Sequence, residues 1–462
     1  MTSARGGPNV SNPYLAGNFA PVTEEVTIAD LEVTGSIPEE LTGRYLRNGP
    51  NPVVAPDPAT YHWFLGDGMV HGLRLDGGRA RWYRNRWIRS TGVLDALGEP
   101  RAADRPDDFG PNTNVIGHAG RTFALVESGP VPYELTEELD TVGPTDFDGT
   151  LDGAYTAHPK RDPLTGELHA VAYHWAWGNR VEVTVVDGSG RVAHCRPVET
   201  TGSPMVHDMS LTERFAVVYD LPVVFDLDAA MAGSTLPYNW SDDYPPRIGF
   251  VPRADTVDAT GDVVWVDVDP CFVFHPMNAH DVVGADGRVE SVVLDVVRWG
   301  RMFDRGHQGP FESGRPELVR WTVDLARRTV SAAPLSDLDL EFPRVDERRI
   351  GRPCRFGYTA VNLAGSGGVA HGGIARHDLR DGTVEVLDLG VGAGQNEAVF
   401  VPASPDADED DGWVLCLTYG ADTDTSRLEI RHAQALTDGP VATVHLPVRV
   451  PFGFHGNWIP DA

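Results

Sequence analysis

Four histidines lie in distinctive local phrases: His158 in AHPKRDP, His207 in MVHDMS, His275 in FVFHPMNAHD and His455 in PFGFHGNW. Intervals of 49, 68 and 180 residues separate them. No two share a helical turn or a hairpin, so only the fold can bring them together. Imidazole nitrogen binds zinc, copper, iron and nickel. A metal-bound histidine usually donates its second ring N–H to a carboxylate or carbonyl. Three glutamates in equally marked phrases can accept it: Glu127 in FALVESG, Glu341 in LEFPR and Glu397 in QNEAVFVP. Four neutral imidazoles leave the full divalent charge on an ion, and this donor set admits Fe(II), Zn(II), Cu(II) or Ni(II). Zinc in such a cage is more often structural and closed. Sixteen histidines are present, and most histidines in any chain are core or surface residues. His280 is read that way, as are His62, His71, His118 and His174, which are structural or line a tunnel.

The elements that must position these side chains are strands. VHGLRLDGGRARWYRNRW (70–87), VEVTVVDGSGRVAHCRPV (181–198) and IARHDLRDGTVEVLDL (374–389) each place an Asp-Gly turn between β-rich runs, a strong hairpin signal. Further strands are expected over 122–128, 167–175, 215–221, 262–269, 290–299 and 413–419. Helical periodicity is scarce; ADLEVTGSIPEELTG and FDLDAAMAGST are each expected to hold one short helix. A length of 462 residues suggests about three domains, yet closed β architectures add strands to one body. With 50 Gly and 36 Pro, an all-β sandwich, barrel or propeller is expected. The acidic run PASPDADEDDGW reads as a solvated loop rather than a linker.

The formal charge of −29 and pI near 4.8 argue against a nucleic-acid partner, whose phosphates would be repelled. The same charge opposes electrostatic anchoring to a membrane. Lys160 is the only lysine. No apolar run is long enough to span a bilayer, and MTSARGGPNVSNPY lacks the apolar core of a signal peptide; a cytoplasmic protein is expected. Cys195, Cys271, Cys354 and Cys416 show no CxxC pairing and read as reduced, mostly buried thiols. No GxSxG elbow, P-loop or dinucleotide fingerprint is present.

Phrases along the whole chain resemble the carotenoid cleavage oxygenases: NPYLAGNFAPVTEE, LTGRYLRNGPNP, WFLGDGMVHG, WYRNRWIRS, AHPKRDPLTGE, MVHDMSLTERFAVVYDLPVVFDLD, FHPMNAHD and FGFHGNW. They occur in the family's order. The resemblance implies one domain over 1–462, a seven-bladed β-propeller with a dome of loops and short helices above an axial metal. It implies Fe(II) held by His158, His207, His275 and His455, with positions open for dioxygen and substrate. Glu127 would stand behind His207, Glu341 behind His275 and Glu397 behind His455, while His158 would lack a carboxylate partner. Stilbene-cleaving relatives hold a phenol with a tyrosine and a lysine, where this chain has Trp87 and Val126. That favours an apolar polyene, flanked by Phe64, Trp87, Phe274, Phe452, Phe454 and Trp458. The stretch 221–240 is expected either at the tunnel mouth, as a peripheral membrane contact for substrate uptake, or as a buried strand and helix. The implied activity is Fe(II)-dependent cleavage of a conjugated C=C bond of a carotenoid or apocarotenoid by O2. The rivals are a stilbene- or phenylpropanoid-cleaving dioxygenase and a non-catalytic propeller scaffold.

Overall fold

The computed structural model describes residues 12–461 apart from 102–107, 109, 254–260, 305–313, 364–371 and 396. Residues 1–11, part of the stretch read above for a leader, lie outside the described residues. All three Asp-Gly segments form antiparallel hairpins: Gly68–Asp76 with Arg79–Trp87, Arg180–Val186 with Val192–Glu199, and Gly373–Asp378 with Thr383–Asp388. At the last turn Gly382 takes φ +69°, a conformation that disfavours residues with a Cβ. Seven sheets of four or more strands are built from such hairpins, together with one two-stranded ribbon. They are the blades of a seven-bladed propeller, as expected.

Within a blade the strands grade from dry to wet. In the fifth, Phe272–Val283 is buried over its first eight residues, whereas the far strand Thr329–Ser336 is mostly exposed. Apolar side chains fill the seams between blades, as where Val183, Phe250, Leu294 and Trp321 belong to one cluster. Each large apolar side chain removed from water there contributes about 1.5–3 kcal/mol. The ring closes through both ends of the chain. Gly456–Pro460 pairs with Gly43–Pro50 in the first blade, and Val33–Gly35 pairs with Ala442–His445 in the seventh.

Helices are few and short. FDLDAAMAGST forms Leu227–Met231, capped by the Asp226 carboxylate accepting from Ala229 N at 2.9 Å. The helix expected in ADLEVTGSIPEELTG is absent. That segment instead carries the strand Val33–Gly35, because the open edge of Ala442–His445 supplies ladder partners that outweigh local propensity. An unanticipated helix, Thr91–Leu97, starts at Ser90, whose hydroxyl accepts from Val93 N, and stops at Gly98 in the left-handed region. The four cysteines are free; Cys271 and Cys416 are buried, but Cys195 is exposed on an outer strand. Among the described residues no helix is long and apolar enough to cross a membrane.

Candidate metal centre and its cavity

Each blade delivers one of the seven singled-out residues. His455 directly precedes the Gly456–Pro460 strand of the first blade, and Glu127 follows Arg121–Leu125 in the second. His158 and His207 precede Lys160–Arg161 and Ser210–Leu211, the leading strands of the third and fourth. His275 lies within Phe272–Val283 of the fifth, Glu341 within Leu340–Val345 of the sixth, and Glu397 just before Val399–Pro402 of the seventh. The strand register slips beside His275 and again between Glu341 and Arg344. Such bulges re-aim side chains out of the ladder. Phe342 is held at φ 51° in the second of them, backbone strain of about 1–3 kcal/mol.

The four imidazoles converge, with ligand atoms all within 4.8 Å of one another and every ring buried. Nε2 of His207 stands 3.1 Å from Nε2 of both His158 and His275. Those edges fit one ion about 2.1 Å from each nitrogen. Burial, reinforced by the neighbouring imidazoles, holds His158 well below the usual histidine range. Burial likewise brings His455 down to about 4, against the pull of Glu397. Both rings are therefore neutral near pH 7, the form a metal requires.

The Nδ1 atoms point outward to the glutamates. His275 Nδ1 pairs with Glu341 Oε2 at 2.6 Å, and His455 Nδ1 with Glu397 Oε1 at 3.1 Å. His207 Nδ1 lies 2.7 Å from Glu127 Oε2, with the ring turned off the line of a straight hydrogen bond. Burial opposes ionisation of Glu397. Arg344, whose Nη1 donates at 2.8 Å, and His455 more than offset that and hold the carboxyl down at about 2. At His275 the cost of burial is likewise overcome, here by Glu341, and the ring is raised above its ordinary value. The expected Glu–His pairings are all present as contacts. His158 differs, its Nδ1 lying nearest an aspartate, Asp208.

One cavity of about 600 Å3 reaches the cluster at His207, His275 and His455. Phe64, Val126, Phe274 and Phe454 line it, as anticipated. Trp87 and Phe452 are not among its lining residues, which corrects two expected substrate contacts. Register opposes Trp87 to Met69; its indole packs with Met69 and Val93 and donates to Asn51 O at 2.8 Å. Phe452 is pinned against Phe19 at a 5.0 Å centroid distance, in an aromatic cluster whose members Trp63 and Phe454 reach the cavity while Phe452 does not. Trp458 lines a second cavity of about 790 Å3, which meets the cluster at His158, His275 and His455.

Several lining residues went unnoticed in the sequence. Phe342 stacks on His275 at 5.3 Å and 25°, and its place in LEFPR was the available signal. Tyr173 donates to Glu127 Oε1 at 3.1 Å, and Tyr238 and Met205 complete the wall. The stretch 221–240 combines a buried strand with an open helix: Leu221 and Val223 are buried, and the residues that follow border the cavity. Val223–Phe225 and Tyr238–Trp240 form the two-stranded ribbon, and the helix between them buries no residue. Leu227 and Met231 line the cavity while 62% and 81% exposed. His280, in register with Val293, is not among the four converging histidines.

Residues 19–460 match the model of the retinal pigment epithelial membrane protein family. A carotenoid cleavage oxygenase of Mycobacterium tuberculosis is 47% identical, with all of both chains covered. The chain belongs to the carotenoid cleavage oxygenase family. Within this family, a carotenoid 9,10(9',10')-cleavage dioxygenase of Phaseolus vulgaris is 31% identical over 97% of this chain and 89% of its own. Cobalt-substituted apocarotenoid oxygenase (ACO) of Synechocystis superposes with a TM-score of 0.84 at 26% identity, covering 96% and 97% of the two chains. Pseudomonas brassicacearum lignostilbene dioxygenase superposes at 0.86 and 26% identity, over 99% and 100%. The fold is thus that of this oxygenase family, and in this chain four imidazoles converge within it.

Proposed function

We propose that this oxygenase cleaves one conjugated double bond of a carotenoid or apocarotenoid to two carbonyl products, using Fe(II) held by His158, His207, His275 and His455. The observation that carries the reading is the meeting of four converging imidazoles with the end of a largely apolar cavity. Fe(II), when bound, supplies the activation of dioxygen. The protein's own groups do the rest. Glu127, Glu341 and Glu397 fix the ring tautomers so that Nε2 faces inward, and raise ligand basicity. Phe64, Phe274, Phe342 and Phe454 exclude water and hold an elongated apolar chain beside the metal. No side-chain acid or base is needed.

Exposed Leu227 and Met231 give the mouth a surface from which to take substrate out of a lipid layer, through apolar contact rather than charge. The second reading is an aryl alkene carrying a phenol, favoured by the likeness to lignostilbene dioxygenase. Val126 then supplies no polar partner where the resemblance places lysine. Mass spectrometry of products from iron-loaded protein, offered a carotenoid panel and a hydroxystilbene under O2, decides between them. Aldehyde or ketone fragments from the carotenoids alone support the proposal. Turnover of the stilbene alone overturns it, and iron-free, inert protein points to a scaffold.

A further inference from the structure

Three of the four imidazoles have a glutamate within 3.1 Å of Nδ1. The fourth faces a different carboxylate. Asp208 Oδ2 stands 3.9 Å from His158 Nδ1, with the Asp208 side chain 2% exposed. Its Oδ1 accepts from its neighbour's amide, Met209 N, at 2.6 Å, and its Oδ2 accepts from Lys160 Nζ at 2.8 Å. Lys160 is the only lysine in the chain, and its position two residues after His158 binds the loop carrying one histidine to the residue following another. A separation of 3.9 Å is too long for a direct hydrogen bond and short enough for one water to bridge. His158, Lys160 and Asp208 all line the second, more polar cavity, so water has access to the gap.

We propose that Asp208, clamped by Lys160, is the carboxylate that orients His158, acting through one bridging water. This rests on the reading that the four histidines hold a metal, and it replaces the expectation that His158 has no acidic partner. Asp208 is a positioning residue: it touches neither substrate nor metal. A carboxylate one water away accepts the Nδ1 proton indirectly, which leaves Nε2 free for the ion. The arrangement distinguishes His158 from the other three, whose rings are gripped directly. A bridging water also lets this ring tilt more freely than its neighbours.

The test is Co(II) binding to metal-free full-length protein, by chelator competition and by visible absorption of the bound ion. Asp208→Asn is expected to weaken binding about tenfold and to shift the absorption bands, with circular dichroism unchanged. Asp208→Asn leaves Lys160 without its counter-ion, so the double variant Asp208→Asn/Lys160→Met restores charge balance. It should keep the weakened affinity and the shifted bands, and Asp208→Glu should recover most of both. Wild-type affinity and spectrum in Asp208→Asn, or their return in the double variant, overturns the proposal and leaves Asp208 as a counter-ion only. Should Asp208→Asn fail to fold, the double variant and Asp208→Glu decide on the same criteria. Failure of the unmodified protein to bind Co(II) is a distinct result, which overturns the metal reading itself.

Discussion

The indole Nε1 of Trp299 donates to Glu341 Oε1 at 3.0 Å, which leaves Oε2 for His275 Nδ1 and for the backbone N–H of Phe342, each at 2.6 Å. The carboxylate is therefore surrounded by donors, and only an ionised acid satisfies all of them. Glu341→Gln puts an NH2 against at least one N–H. It is expected to keep the fold and weaken metal retention about 10–100-fold, measured by chelator competition. Trp299→Phe leaves Oε1 unpaired and costs about 1–3 kcal/mol of stability, with a smaller loss of metal. Unchanged iron affinity in Glu341→Gln would reduce this residue to a buried structural acid.

His275→Ala removes one of four converging nitrogens from a site whose other lining near it is the aromatic Phe274 and Phe342. Iron content and oxygenase activity are both expected to vanish, while far-ultraviolet circular dichroism stays that of the wild type. Elemental analysis of purified wild-type protein checks the premise. Stoichiometric zinc, with no turnover after exchange for iron, sinks the oxygenase assignment.

Val126 and Trp87 are the two departures from the stilbene-cleaving pattern, and the structure separates their effects. Val126 lines the cavity and is followed by Glu127, so Val126→Lys alone should raise turnover of hydroxystilbenes relative to carotenoids. Each polar partner gained by a buried phenol is worth about 1–3 kcal/mol, a several-fold to hundredfold shift in preference. Trp87→Tyr should leave that preference unchanged and instead lower the melting temperature, because the bond from Trp87 Nε1 to Asn51 O is lost. A selectivity change in Trp87→Tyr alone contradicts this.

Buried histidines outside the metal cluster give stability a pH dependence, since burial lowers His71, His118 and His280 as well as His169 and His377. Burial lowers His169 to about 3 and His377 to about 4, against roughly 6.5 when unfolded. Below pH 6.5 the unfolded chain takes up protons that the folded one refuses. Stability is therefore full above about pH 6.5 and falls as pH drops toward 4. Asp281, raised by burial to about 6, acts in the opposite sense over that interval, as do Asp67 and Asp208, but the lowered histidines outnumber them. Asp378, held down at about 2 chiefly by its hydrogen bond with Arg355, adds to the loss below about pH 4. Thermal melts of metal-free protein at about pH 7 and pH 4.5 should differ by several degrees. The double variant His169→Gln/His377→Gln should make that slope shallower, and an unaltered slope counts against the assignment.

The sequence by itself determined what is local. Asp-Gly between alternating runs specifies hairpins, and the unusual phrases around His158, His207, His275 and His455 marked the metal candidates before any contact was known. Which residues face which cavity was decided only by tertiary structure. The ring closes through Gly43–Pro50 meeting Gly456–Pro460 and Val33–Gly35 meeting Ala442–His445, pairings that no local propensity encodes. That closure turned an expected helix into an edge strand. Strand register set the fate of Trp87, since a one-residue slip exchanges the two faces of a strand, whereas Val126, just past the end of Arg121–Leu125, reaches the cavity. Bulges beside His275 and Glu341 aimed both at the axis and brought Phe342 over the site. Asp208 lies next to His207 in sequence yet faces His158 in space, because the fold sets the segments that lead into Lys160–Arg161 and Ser210–Leu211 side by side at the axis of neighbouring blades.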